Sequence, residues 1–198
     1  MHDKFINSEK LLVIFQSAKR LSVNTKKKKK EITFVGKLNK SKGYDIFGKA
    51  VIKVLNKYPD WKAIAIGDEH REKLIFKHKR FKVLGFQNNE TVVNWFKKSD
   101  ISVTCSRIEE PFGRTALEAS SAGCAVIISN KGGLPEASSS GIKIKELTIK
   151  NLQNKIEKLI NDENYKKNLQ KKIYKKFSLT NELASKKIDD YRNKLIKS

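Results

Sequence analysis

At 198 residues, with 38% hydrophobic content and ten Phe, the chain is long enough to bury one full core and too apolar to be intrinsically disordered. Lys and Arg number 43 against 21 Asp and Glu, a net charge of +22, but only six of the cations are Arg. Specific readers of bases and phosphates lean on the flat, bidentate guanidinium. The lysine excess therefore describes a solvated basic surface, open to nonspecific attraction to RNA, DNA or anionic lipid, better than it describes a nucleic-acid reader.

Residues 1–30 make a poor start for a domain. Leu11-Leu12-Val13-Ile14-Phe15 reads as one buried strand, followed by a polar stretch and a lysine run over 26–30 that reads as a solvated linker. No apolar run is longer than 11–15, far too short to span a bilayer, and no signal-peptide pattern opens the chain. These features point to a cytoplasmic protein, with the inner face of the membrane as a surface its charge would favour.

From Glu31 onward the pattern alternates strand and helix. Ile32–Val35 is a short apolar strand ending in Gly36. Residues 44–57 place Phe47, Ala50, Val51, Val54 and Leu55 on one helical face, closed by Tyr58-Pro59-Asp60. Further apolar runs at 63–66, 81–84, 101–104 and 125–128 each end in Gly or a small polar residue, and helices are predicted between them over 69–78, 89–98 and 114–122. Continuous apolar strands separated by helices indicate a parallel sheet covered on both faces, an α/β, doubly wound, Rossmann-like domain. The last fifty residues carry helical faces at Leu152, Ile156, Leu159 and Ile160 and at Ala184, Ile188, Tyr191 and Leu195. Cys105 and Cys124 stand beside apolar runs with no Cys-x-x-Cys, so they read as reduced core thiols.

In such a sheet ligands bind beyond the carboxyl ends of the strands, and three stretches fall there. Gly36-Lys37-Leu38-Asn39-Lys40-Ser41-Lys42-Gly43 sets lysines and backbone amides around two glycines, either a phosphate cradle or a plain solvated turn; it is neither a Walker loop nor a Gly-x-Gly-x-x-Gly turn. In Glu109-Glu110-Pro111-Phe112-Gly113-Arg114-Thr115, Pro111 and Gly113 forbid a continuous helix, so Glu110 sits on a loop. The helix starts near Arg114, with its free amides facing the crevice. Glu118, one turn in, reads equally as a surface acid favoured by the helix dipole or as an acceptor for a pair of sugar hydroxyls. Gly132-Gly133-Leu134-Pro135-Glu136 is a turn that brings backbone close to its surroundings. Together, amides and lysines suit a diphosphate and the two acids suit the hydroxyl-rich groups flanking it. The ligand implied is a nucleoside diphosphate joined to a sugar.

Glu110-Pro-Phe-Gly-x4-Glu118, followed by Ala119-x3-Gly123 and Gly132-Gly133-x2-Glu136, resembles the signature of the retaining GT-B glycosyltransferases of family 4, glycosyl transferases group 1. Val35-Gly36-Lys37-Leu38 with Lys42-Gly43 is similar to that family's phosphate loop, and Ile66-Gly67-Asp68 and Gly85-Phe86 fall where it has further nucleotide contacts. The resemblance implies sugar transfer from a nucleotide donor, such as a UDP- or GDP-sugar, with retention of configuration and no required metal or other cofactor. By position, it implies that Glu110 contacts the sugar, Glu118 the ribose, and Lys37 with Lys42 the pyrophosphate, while Gly36 and the amides of Phe112, Gly113, Arg114 and Thr115 line the donor pocket. The family usually has Arg where Lys37 stands, so a point charge replaces a fork there.

The resemblance also implies a division of the chain. Residues 31–198 correspond to the donor-binding half of a GT-B enzyme with its C-terminal helices, and 1–30 to the remnant of an interdomain crossing. The half that binds the acceptor, a glycan or lipid, is expected to be truncated, lost or on another polypeptide. Two other readings stand beside this one: a nucleotide-binding module without transferase activity, and a nucleic-acid-binding protein acting through its lysines.

Overall fold

The computed structural model describes residues 11–24 and 28–197. Six strands form one all-parallel sheet in the order β3-β2-β1-β4-β5-β6, with β1 Lys29–Val35, β2 Lys62–Ile66, β3 Phe81–Val83, β4 Ser99–Thr104, β5 Ala125–Ser129 and β6 Ile142–Ile144. Chain order reverses between β1 and β4, and that opening fixes where a ligand can enter. The continuous apolar runs are buried on both faces, as a covered parallel sheet requires: Ile101 and Val103 of β4 and Ala125 to Ile128 of β5 are fully enclosed. Helices α1 (Tyr44–Lys57), α2 (Asn89–Lys98), α3 (Arg114–Ser121), α4 (Leu134–Ala137), α5 (Ile149–Asn161), α6 (Glu163–Lys176) and α7 (Asn181–Lys197) connect and cover the strands. The α/β doubly wound reading holds, and α1 and α2 occupy their predicted spans. Both cysteines are free and buried, and burial pushes the Cys105 thiol up to about 12.

Three expectations are corrected. Residues 69–78 form no helix. Leu74 and Phe76, two apart, turn inward while Lys73, Ile75 and Lys77 face out, a period that suits extended chain. Phe76 lies flat over Gly48 of α1, where any Cβ would collide with its ring. The run 11–15 is not a buried strand either. Leu11, Leu12, Val13 and Phe15 are exposed, and the segment lies outside the sheet: the Phe15 ring stacks on Phe112 with centroids 5.6 Å apart, and Ala18 bridges to Thr180. The lysine run is less of a linker than predicted: Lys26 and Lys27 lie outside the described residues, but Lys29 and Lys30 open β1. The Lys28 ammonium donates to the carbonyls of Phe96 and Lys97 at 2.8 and 3.2 Å, closing the negative end of α2.

The C-terminal helices are anchored at the amino end of the sheet. Lys166 of α6 is buried against Asp100 at 2.9 Å and lies 4.8 Å from the centroid of the Trp61 ring, while Gln170 donates to the Asp100 carbonyl and carboxylate. Helix α7 is mostly exposed, with Ile188 and Leu195 about half open to solvent. Among the described residues no helix is long and apolar enough to cross a membrane.

Candidate active site

At the carboxyl ends of β1 and β4 lies a cavity of about 290 Å³. Val35 and Gly36 leave β1 on one side of it, Thr104 and Ser106 leave β4 on the other, and Gly113 and Arg114 form its far wall. This is the switch point of the strand order, where the sequence placed a ligand.

The loop after β1 is held by its own polar side chains. Asn39 Oδ1 accepts from the Lys42 amide at 3.0 Å and the Ser41 hydroxyl at 2.8 Å, and Asn39 Nδ2 donates to Glu69 at 2.9 Å. Hydrogen bonds from Arg71 first, then from Asn39, hold the Glu69 carboxyl down at about 2. Gly43 caps α1 at φ 73°, and a Cβ there would strike the Cys105 carbonyl, so the loop can lie directly on the end of β4. That contact delivers Lys42 into the cavity.

There the Lys42 ammonium meets Glu110 Oε1 at 2.5 Å, and the Ser106 hydroxyl donates to the same oxygen. Ser106 is itself tied down through its carbonyl, which accepts from Ser129 at 2.7 Å. Glu110 is positioned from behind by the double-glycine turn: the Gly133 amide donates to the Glu110 carbonyl at 2.7 Å, and a Cβ on Gly132 would overlap the Glu110 backbone. The turn's close approach, inferred from sequence, is thus to the acid-bearing loop.

Helix α3 opens beside this pair. Its N-cap, Gly113 at φ 106°, offers no side-chain hydrogen bond, and its first turn contains no acid. The leading amides therefore have neither intrahelical partners nor a cap, and their partial positive charge is left for a ligand. Glu118, one turn along, faces a second hollow of about 420 Å³. Its Oε1 accepts from Asn89 Nδ2 at 3.1 Å and Arg114 at 3.2 Å, so the carboxylate, though buried, has polar partners. Arg114 lines both hollows, which puts the two acids on one side of the molecule.

The structure thus brings together Gly36, Lys42, Glu110, Phe112, Gly113, Arg114 and Thr115, with Glu118 next door. Lys37 is exposed and does not line the cavity. The Gly36 amide donates to Ile66 and the Leu38 amide to Asp68, continuing the pairing of β1 with β2. Leu38 then packs inward and the intervening side chain outward. Sequence reasoning missed Ser106 and Asn89. The small polar residue ending an apolar strand was the available signal for the first, and the position at the start of α2 for the second. Among the described residues no three His, Cys, Asp or Glu side chains converge as a metal site would require.

Against this geometry the comparisons are decisive for family. The model of glycosyl transferases group 1 matches residues 15–176. The chain belongs to that family. It is 29% identical over 187 residues to an uncharacterized glycosyltransferase of Methanocaldococcus jannaschii, and 31% identical over 126 residues to spore coat protein SA of Bacillus subtilis. These alignments cover 87% and 57% of the chain, but the chain spans about half or less of the relatives' lengths, 47% and 33%. Among solved structures it is similar to the C-terminal domain of a glycosyl transferase group 1 family protein from Francisella tularensis. That match has 30% identity and a TM-score of 0.66, covering 73% of this chain and 82% of that one. Anabaena HepE, solved with UDP and glucose, shares the fold at 20% identity and TM-score 0.71, over 84% of this chain and 48% of HepE. The family member's sheet is thus that of a GT-B C-terminal domain.

Proposed function

We propose that this chain is the donor-binding portion of a retaining glycosyltransferase, taking a nucleoside diphosphate sugar in the cavity between β1 and β4. The observation that carries the reading is the juxtaposition of that cavity, where a lysine is held by a carboxylate beside an uncapped helix N-terminus, with the adjoining hollow that holds a second carboxylate suited to a diol. HepE's complexes with UDP and with UDP-glucose, in a protein of the same fold, support it.

In this reading Lys42 and the leading amides of α3 receive the diphosphate. As the bond to the sugar breaks, negative charge grows on that leaving group, and donors already aimed there stabilise it without rearrangement. Arrival of the phosphates draws the Lys42 ammonium off Glu110 and frees that carboxylate for the sugar hydroxyls. Glu118 accepts from the ribose diol. Lys37 joins only by swinging inward from its exposed position. The acceptor, a glycan or lipid, is held by a further domain or partner, and transfer needs no metal.

Thermal melting against a panel of UDP-, GDP- and ADP-sugars tests this. At least one nucleotide sugar is expected to raise the melting temperature, and Glu118→Ala to abolish the rise; no rise with any of them removes the reading. The chain alone is expected to transfer little, because a half-open cleft neither excludes water nor positions an acceptor. Robust transfer by the purified chain, or binding lost on adding EDTA, would overturn those parts of the proposal.

A further inference from the structure

The charge balance of the cavity is short of what a diphosphate demands. Among the described residues only Lys42 and Arg114 line it as cations, and Lys42 is already neutralised by Glu110 at 2.5 Å. Arg114 is committed elsewhere, but loosely. One guanidinium nitrogen reaches Glu118 at 3.2 Å, and the side chain is 68% exposed. With the arginine end in solvent and a single nitrogen engaged, the contact is released more cheaply than a bidentate or wholly buried one, although the Glu118 side chain is only 11% exposed. The residue is also placed against the helix field: it is the first residue of α3, where the dipole disfavours a cation and no acid in the first turn offsets it. Asn89 makes a second hydrogen bond to the same Glu118 oxygen, so the carboxylate stays oriented when the arginine leaves.

We infer that the Arg114 side chain is a diphosphate-binding group that exchanges Glu118 for the donor's phosphates when the nucleotide enters, at the junction of the two hollows. The exchange is favourable on both sides. A phosphate can take the planar fork on two oxygens where the contact to Glu118 uses one, and phosphate charge at the N-terminus of α3 reverses the unfavourable field there. The departing guanidinium also leaves Glu118 free to accept from the diol, so phosphate and ribose recognition are coupled through one side chain. Lys42 and Arg114 then approach the diphosphate from its two sides, one as a point charge and one as a fork.

This inference rests on the donor-binding reading, and the test separates the two. Calorimetry on the wild-type chain with UDP, GDP and ADP and with the matching monophosphates gives, for the best-bound base, the gain in affinity from the second phosphate. In Arg114→Ala that gain is expected to shrink about tenfold, the loss of one charge-assisted hydrogen bond or slightly more. Arg114→Lys is expected to recover part of it. The melting temperature of free Arg114→Ala should be unchanged or slightly higher, because a cation leaves a helix N-terminus, and that of free Arg114→Lys unchanged. A gain equal to wild type, or mono- and diphosphate weakened by the same factor, would overturn the inference and leave Arg114 as a mere prop for Glu118. Failure of the wild type to bind any of the nucleotides would instead remove the donor-binding reading, and this one with it.

Discussion

Two lysine–carboxylate pairs sit at opposite ends of the same strand, and their surroundings differ more than their geometry. Lys166–Asp100, at the amino end of β4, is 2.9 Å long with side chains 1% and 9% exposed; Lys42–Glu110, beyond its carboxyl end, is 2.5 Å long at 28% and 11%. The first is walled in by Trp61, Gln170 and α6, and Glu163 adds a second carboxylate to the lysine at 2.7 Å. The second opens onto a cavity, with the Ser106 hydroxyl as the further donor to its carboxylate. A closed pair locks C-terminal helices to a sheet. An open pair can be exchanged for a ligand, because water and incoming phosphate both have access to the lysine.

The largest test of that contrast is at the closed end. Lys166→Ala leaves Asp100 buried without its cation and is expected to cost about 3–5 kcal/mol of stability, while Lys166→Met, which fills the same space beside Trp61, should recover part of that. Chemical denaturation measures both. Nucleotide binding, assayed where the alanine variant stays folded, should be unaffected. At the open end the pattern reverses. Lys42→Met is expected to change stability by about 1 kcal/mol or less, since Ser106 still donates to Glu110. It should weaken nucleoside diphosphate binding roughly 10- to 100-fold, the worth of a charge-assisted hydrogen bond. If Lys42→Met unfolds the chain as readily as Lys166→Ala, the two pairs are alike and the distinction fails.

What could be read beforehand divides along the same line. Strands β1, β2, β4 and β5 announced themselves as continuous apolar runs because a covered parallel sheet buries both faces. Glu110, Glu118 and Lys42 were legible because each lies a fixed number of residues from a glycine that shapes its loop. Ser106 and Asn89 were not. Their partner Glu118 or Glu110 is brought to them by strand order and helix placement, which no local spacing encodes. Strand β6, Ile142–Ile144, was missed because Lys145 and Glu146 follow it directly, whereas Leu84 and Gly85 extend and close the equally short β3. The Lys166–Asp100 pair was hidden for a related reason: 66 residues separate its members, and in a chain this rich in lysine nothing marks the one that is buried. Segment 69–78 misled because its apolar residues have the density of a helix but the spacing of extended chain.

That extended segment also supplies the subtlest test, since it braces the loop that carries Lys42. Glu69 accepts from Arg71 and from Asn39, whose own oxygen orders the Lys42 amide. These hydrogen bonds, that from Arg71 first, hold the carboxyl down at about 2 in the folded chain, below the ordinary glutamate value of 4.5. The unfolded chain therefore takes up this proton first as pH falls. The contribution is complete above about 4.5 and lost progressively down toward 2. Glu69→Gln should accordingly flatten the acid limb of the stability–pH curve in that window, by lowering stability modestly above it and leaving stability near pH 2 unchanged. Its second signature is at the open pair: with Asn39 less firmly held, the Lys42 loop loosens and nucleotide affinity slips by a small factor. A variant with the wild-type acid limb would show that Glu69 is not the group titrating there, and that the brace beneath the open site lies elsewhere.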